Sequence, residues 1–221
     1  MKTPITLGIT TAGTVAAAIV GDEIECAGAT ASQALDGTLA CVLELLAAAD
    51  VGLDDVHLIA VCRGPGSFTG LRIGVAFAKS VAQARDLPIV GVSSYDVAEF
   101  DSNPLRFPSA AVVQGKKAFY YVRIRDSAEA APRFARGTKD ELRPVMGGIA
   151  EVDTRHLADV PASEQAVRVA RLGRRFAAGG AVADWRSVEI DYGQRPNAVI
   201  NWEARGGPSE RGGAPTPAKL G

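Results

Sequence analysis

The sequence predicts an α/β protein in which mixed sheets are flanked by helices and shared between two lobes. Short β-prone runs separated by turn residues open the chain, and strand and helix patterns alternate after them. Alternation after such a meander places the later strands parallel to one another and buries the sheet under helices. With 221 residues, 47% of them hydrophobic, the chain is long enough to enclose a substantial core.

The elements of the first hundred residues follow a regular order. Three β-prone runs are joined by tight turns, and two helical patterns follow, each leading into or out of a buried-type strand. In chain order the predicted elements cover residues 5–10, 14–20, 23–28, 32–49, 56–62, 71–85 and 89–93. The order βββαβα followed by β is the layout of a ribonuclease H-like lobe.

The second half has a weaker pattern. It predicts a strand at 110–114, a hairpin partner at 118–125 and a helix at 163–178. Residues 206–221 contain five Gly and three Pro with hardly any large apolar side chain, so we expect this tail to be disordered. The expected organisation is an N-terminal ribonuclease H-like lobe at 1–103, a smaller C-terminal lobe at 104–205 and the tail at 206–221.

Charge, cysteine content and hydropathy narrow the class of protein. Lys and Arg number 24 against 25 Asp and Glu, so the formal net charge of −1 gives no global attraction to nucleic acid or anionic membranes. Cys26, Cys41 and Cys62 lie far apart in apolar runs, which indicates buried thiols in a reducing compartment. No stretch approaches the roughly 20 apolar residues that span a bilayer, and no secretion signal is recognisable. We therefore expect a cytoplasmic protein without a membrane partner.

A glycine-rich loop between a predicted strand and helix is the most informative segment. Glycine lets a backbone approach its neighbours closely, and free amides at a helix start suit an anion. The loop lacks the Lys-Ser or Lys-Thr of a Walker loop and the glycine spacing of a nucleophile elbow. On these residues alone, a simple strand-to-helix connection explains it better. The loop consists of Gly64, Pro65, Gly66, Ser67, Phe68, Thr69 and Gly70.

The run Gly-Pro-Gly-Ser-Phe-Thr-Gly-Leu-Arg-Ile-Gly at 64–74, with Leu-Ile-Ala-Val at 58–61 and Pro-Ile-Val-Gly-Val-Ser-Ser at 88–94, resembles the signature of the TsaB (YeaZ) family. A weaker resemblance extends over residues 1 to about 125. It implies a two-lobed fold of the actin-like ATPase superfamily. It also implies a non-catalytic partner of the TsaD-like subunit that attaches threonylcarbamoyl to adenosine 37 of tRNA.

The resemblance carries further expectations about ligands and partners. It implies no intrinsic cofactor, with ATP or ADP left open at a partner interface, a homodimer when the chain is alone, and tRNA contact only through the partner. Two alternatives remain: a divergent paralogue that acts as a homodimeric binding protein, and a weak nucleotide-binding or hydrolase member of the actin-like superfamily.

Both predicted helices of the first lobe carry apolar residues on two sides. One side would face the sheet, and the other needs cover from the second lobe or from another chain. The residues alone do not decide between these, whereas the resemblance favours a helical interface with TsaD or a second copy. Arg72 and Lys79 would frame it, or are ordinary surface charges. The expected interface consists of Leu35, Thr38, Cys41, Leu45, Ala48, Arg72, Val75, Ala78 and Lys79.

Some positions depart from the family pattern. Thr10-Thr11-Ala12 stands where TsaB-like proteins usually have Asp-Thr-Ser, so the carboxylate that helps hold a metal-bound nucleotide in the superfamily is missing. Residues 31–33 and the region of residues 114–120 also differ, which keeps the divergent-paralogue alternative open. His57 and His156 lie in different halves without a second ligand at helical spacing. We predict no catalytic residues and no metal site.

Four arginines of the predicted helix at 163–178 would form a basic strip. Such a strip could meet RNA phosphates, but a solvated helix face is the simpler interpretation. The four are Arg168, Arg171, Arg174 and Arg175.

Overall fold

A computed structural model of the chain describes residues 4–100, 105–116, 118–147 and 153–193. Within these ranges nine strands form one sheet of five and one sheet of four. The helices and strands are β1 (Ile5–Thr10), β2 (Val15–Val20), β3 (Glu25–Thr30), α1 (Ala34–Ala48), β4 (Val56–Gly64), α2 (Phe68–Arg85), β5 (Ile89–Ser93), α3 (Ser94–Glu99), β6 (Ser109–Gln114), β7 (Tyr120–Arg125), β8 (Arg133–Gly137), α4 (Lys139–Gly147), β9 (Asp153–His156) and α5 (Ala162–Ala178).

The first sheet has the strand order β3-β2-β1-β4-β5. Strand β1 pairs antiparallel with β2 and parallel with β4, and β5 continues the parallel half. Leu7, Ile9 and Ile59 are fully buried against the two helices α1 and α2, which cover this face of the sheet. The predicted mixed sheet flanked by helices is confirmed.

Helix α5 covers the opposite face of the first sheet. It packs mainly against β1, β2 and β4, and small residues let it approach closely. A Cβ added at Gly8 would lie only 2.6 Å from Ala166 O, and a Cβ added at Gly173 would overlap Ala60 Cβ. The helix was expected in the second lobe, at 163–178, because it follows that lobe's strands in the chain. The first lobe therefore consists of two separate stretches of the chain, the N-terminal residues and helix α5. A boundary at residue 103 separates the strands of the two sheets, but it does not separate the helices that cover them.

The second sheet repeats the plan of the first. Its order is β8-β7-β6-β9, with an antiparallel meander of β6, β7 and β8 followed by β9 parallel to β6. Helix α4 packs on one face through the buried Leu142. Helix α3 packs on β6 and also touches β4 and β5 of the first sheet. Strands β8 and β9 and helices α3 and α4 were not foreseen from the sequence.

An ionic cluster joins α3 to the second sheet. Arg123 Nη1 donates to Asp96 Oδ1 and Nη2 donates to Glu99 Oε2, both over 2.7 Å. Arg123 and Glu99 are buried. Because burying an ion pair costs desolvation of both charges, the cluster holds a defined geometry and adds little net stability.

Element boundaries differ by a few residues from those expected. Helix α2 begins at Phe68, three residues before the expected start, because the Ser67 hydroxyl caps it by accepting the Gly70 amide. The expected disordered tail at 206–221 lies outside the described residues. In the part of the chain that is described, no helix is long and apolar enough to cross a membrane.

Candidate functional site

The glycine-rich loop connects β4 to α2 and is fixed from several sides. Gly64 adopts φ +108°, a region that favours glycine, and a Cβ there would overlap Asp191 O. Ser94 donates its hydroxyl hydrogen to Pro65 O over 2.6 Å. The Asp191 amide donates to Arg63 O over 2.8 Å. A segment more than a hundred residues later in the chain therefore holds the loop in place.

Three glycines at four-residue spacing let the start of α2 contact the end of β1. A Cβ at Gly66 would lie 2.6 Å from Ala12 O, and Cβ atoms at Gly70 and Gly74 would overlap Thr11. Gly70 and Gly74 lie four residues apart and so on one side of α2, and Gly66 in the preceding loop extends the same contact with the β1–β2 turn. Close packing accounts for the glycines of the motif.

The same contacts occupy amides that an anion would need. The Ser67 amide donates to Ala12 O over 2.6 Å, and the Gly70 amide donates to Ser67 Oγ over 3.3 Å. An anion that bound either of these two amides would have to displace the hydrogen bond that the amide makes. The geometry of the loop therefore supports the strand-to-helix connection and gives no support to a phosphate cradle.

Helix α1 exposes a stripe of leucines on the side away from the sheet. Leu35, Leu39 and Leu43 are 74%, 53% and 56% exposed. Their four-residue spacing places them in a row along the helix. Phe68, at the start of α2, is also exposed. Phe68 packs against Tyr192 and Arg72, so the apolar row consists of the three leucines, which we call the leucine face.

The structure corrects which side of the helices is buried. Five residues expected at the partner interface face the core of this chain: Thr38, Cys41, Leu45, Val75 and Ala78. They pack against the first sheet or between α1 and α2, so they cannot contact a partner of the folded chain. Leu35, Ala48 and Arg72 are exposed, as an interface requires. Lys79 is half-buried and donates to Arg186 O over 3.4 Å, so it contacts its own chain.

A cavity of about 800 Å³ opens beside the leucine face. It lies between the starts of α1 and α2, with the β1–β2 turn on one side and Lys116 of the β6–β7 turn on the other. Its described lining includes Leu35 and no carboxylate. Hydroxyl groups supply most of its polar lining: Thr14, Thr30, Ser32, Ser67 and Thr69.

The histidines and cysteines of the described chain lie in structural positions. No group of three or more His, Cys, Asp or Glu side chains that could hold a metal occurs among the described residues. His57 is exposed, and its Nδ1 accepts the Ile5 amide over 3.3 Å. Burial raises the pKa of the Cys62 thiol, and burial also raises the pKa of Cys41. Both thiols are therefore neutral core groups at physiological pH.

Ion pairs within the chain occupy most of the basic strip on α5. Three of its four arginines contact carboxylates of the first lobe or of α5 itself, which leaves little free positive charge for phosphates. Arg168 pairs with Glu164 over 2.9 Å, Arg171 with Glu25 over 2.6 Å and Arg174 with Asp22 over 2.5 Å. This geometry supports the solvated-face interpretation.

Two sheets built on one plan, with helices on both faces of the first, define an α/β protein of the actin-like, ribonuclease H-like class. Comparison with known proteins agrees with this class and identifies a family within it. The chain belongs to the family whose model is described as TsaD, tRNA N6-adenosine threonylcarbamoyltransferase, which matches residues 30–161.

Individual relatives match mainly over short stretches. The chain is 43% identical over 56 residues to TsaB, a tRNA threonylcarbamoyladenosine biosynthesis protein of Escherichia coli K12, covering 25% of this chain and 24% of that protein. It is 40% identical over 84 residues to the tRNA N6-adenosine threonylcarbamoyltransferase of Geobacter sp. M21, covering 36% of this chain and 25% of the relative. The matches thus span about a quarter of the length of these curated relatives.

A solved structure that aligns with this chain over nearly the whole length of the solved protein confirms the fold. YeaZ from Pseudomonas aeruginosa superposes with a TM-score of 0.64 at 18% identity, covering 86% of this chain and 99% of that one. Together with the TsaB matches, this confirms the resemblance to the TsaB (YeaZ) family and the expected fold.

Proposed function

We propose that this chain is a non-catalytic scaffold in the biosynthesis of threonylcarbamoyladenosine in tRNA. It acts in the cytoplasm by binding a TsaD-like transferase through the leucine face, and it forms a homodimer through the same face when the transferase is absent. The exposed leucine stripe on α1 is the observation that carries the proposal. The proposed partner follows from the family to which the chain belongs, whose model is described as a threonylcarbamoyltransferase.

The energetics of the leucine face favour association. Fully burying a leucine contributes about 1.5–3 kcal/mol, so three exposed leucines in a row leave a large hydrophobic stabilisation unused in the monomer. Ala40, Ala47 and Ala48 are exposed on the same helix, and small side chains permit close approach of a partner helix. Contiguous exposed apolar surface of this kind marks interaction sites.

The proposal of a scaffold without turnover rests on the site residues. Thr10 stands where the superfamily places a carboxylate, and the described residues offer no cluster of metal ligands. A transferase would need electrostatic stabilisers or a metal aimed at the reacting carbamoyl group. We therefore assign the chemistry to the partner and the stabilisation of that partner to this chain.

The test is association with the transferase homologue of the same organism. The tagged chain should co-purify with that homologue in a stoichiometric complex, measured by light scattering. Leu39→Arg should remain folded and lose the complex, because it places a charge in the centre of the apolar stripe. Val182→Arg alters an exposed apolar residue outside α1 and α2 and should leave the complex intact.

The alternatives give different results in the same measurement. If Leu39→Arg and Val182→Arg both bound the transferase homologue as the unchanged chain does, the interface would lie outside α1. If the chain formed a homodimer that did not bind the transferase homologue, and if Leu39→Arg dissociated that homodimer, the chain would be a divergent paralogue that acts as a homodimeric binding protein. If ATP or ADP increases the stability of the complex, the cavity beside Leu35 is its proposed site, since a partner on the leucine face would close it.

A further inference from the structure

A second cavity lies beside α3 and the edge strand β8. It measures about 390 Å³, and none of its described lining residues belongs to α1 or α2. Its walls come from α3, from the edge strand β8 and from the segment that follows α5. The lining residues are Tyr95, Phe134, Ala135, Arg136, Asp191 and Gly193.

Phe134 gives this cavity an open aromatic wall. It lies opposite Arg123 in the β7–β8 register, so it points to the face of the sheet on which α3 packs. Its ring centroid is 5.7 Å from that of Tyr95, at an interplanar angle of 53°. Tyr95 is 4% exposed, whereas Phe134 is 64% exposed. Tyr95 therefore supports one part of the Phe134 ring and leaves the rest open to solvent.

Arg136 places a cation beside the open ring. It lies two residues from Phe134 on β8 and so shares its face. The guanidinium directs Nη1 at Gly193 O over 3.4 Å, which leaves most of its five N–H donors available. Arg133 lies on the opposite face and donates two hydrogen bonds to Asp126. Arg136 is thus the cation of this strand that can serve a ligand of the cavity.

We propose that this cavity binds an unpaired nucleotide of RNA, with its base stacked on Phe134 and its phosphate on Arg136. Stacking on an exposed aromatic side chain and a flanking arginine are the means by which proteins hold unpaired RNA bases. The Asp191 carboxylate also lines the cavity, and its Oδ1 accepts the Gly193 amide over 2.8 Å. The choice of RNA over other nucleotides rests on the proposed function, and the site departs from the expectation that tRNA contacts only the partner.

The size of the surface favours a nucleotide over a protein. The surface area of one exposed ring and one arginine is far smaller than the roughly 800 Å² that each partner buries in a standard protein interface. The chain as a whole has a formal charge of −1, so general attraction to RNA is absent and affinity must come from this local contact. Binding through one phosphate predicts a shallow salt dependence, with a log–log slope of about −0.7.

The experiment measures fluorescence anisotropy of a labelled single-stranded oligoadenylate with the full chain, and AMP as a competitor. Phe134→Ala should weaken binding about tenfold, since base stacking is lost. Arg136→Gln should weaken it by a smaller factor and remove most of the salt dependence. Phe107→Ala, another exposed phenylalanine of the same lobe, and Arg133→Gln should bind as the unchanged chain does.

The outcomes separate the sources of the ligand and the two proposals. AMP that competes as well as the oligomer assigns the site to a free nucleotide, whereas weak competition assigns it to RNA. No binding, or binding unaffected by Phe134→Ala, overturns the site. If Phe134→Ala lost association with the transferase homologue but bound RNA as the unchanged chain does, the nucleotide site would also be refuted. The surface around Phe134 would then be a protein interface. Leu39→Arg should bind RNA normally, so failure of the scaffold proposal would be seen separately.

Discussion

Single residues explain why the glycine-rich motif has its spacing. Gly66, Gly70 and Gly74 bring α2 against Thr11 and Ala12 at the end of β1, and the space at each is too small for a methyl group. The motif could be found from the sequence because three glycines and a proline fall between a buried-type strand and a helix. Its purpose could not, because the partner of each glycine lies some sixty residues earlier in the chain.

Gly74→Ala should destabilise the folded chain by roughly 1–3 kcal/mol, because the new methyl group overlaps the Thr11 side chain in a packed core. The measurement is urea unfolding followed by circular dichroism. Gly28→Ala on β3 is the matched control, since a Cβ there meets nothing within 4 Å. Equal midpoints for the two variants would contradict the packing role.

At the scale of elements, the side that α1 and α2 bury was the feature the sequence could not determine. Helix α1 carries leucines on both sides, so helical periodicity indicates two apolar faces without ranking them. The structure buries Thr38, Cys41 and Leu45 and exposes Leu35 and Leu39. Strands β1, β2, β4 and β5 of the first sheet were predictable because they are mostly buried and β-prone. Strands β8 and β9 were missed because Arg-Phe-Ala-Arg-Gly and Asp-Thr-Arg-His are short, polar edge strands.

The different exposure of Ala48 on α1 and Ala78 on α2 predicts different results for these two alanines of the expected interface. Ala78→Arg should prevent folding or lower stability by several kcal/mol, because Ala78 is fully buried and an arginine there would be an unpaired charge in the core. Ala48→Arg should remain folded, since Ala48 is exposed. Thermal unfolding of both variants tests this, and a stable Ala78→Arg monomer would refute the placement of α2 against the sheet.

At the scale of the whole molecule, α3 and its ionic cluster connect the two sheets. Helix α3 follows β5 directly and packs on β6, while Arg123 of β7 holds its Asp96 and Glu99 side chains. A sequence without an alignment could not reveal this pairing, because the partners are more than twenty residues apart and α3 was not foreseen.

Arg123→Ala should destabilise the chain by about 3–5 kcal/mol, since it leaves the buried Glu99 carboxylate without its main partner. Urea unfolding measures the loss. Arg133→Ala breaks the exposed pair with Asp126 and should change stability little. If the two variants unfolded at the same urea concentration, the buried cluster would not be what fixes α3.

The position of α5 has a consequence for synthesis on the ribosome. Strands β1 to β5 are complete at residue 93, but the helix that covers their second face ends at residue 178. At about 5–20 residues per second, the helix follows on the order of 4 to 17 s later. During that interval the surface around Gly8, Ala16 and Ala18 lacks the helix that later buries it. The nascent first lobe is therefore a natural client for chaperones at the tunnel exit, and its folding can finish only when most of the chain has been translated.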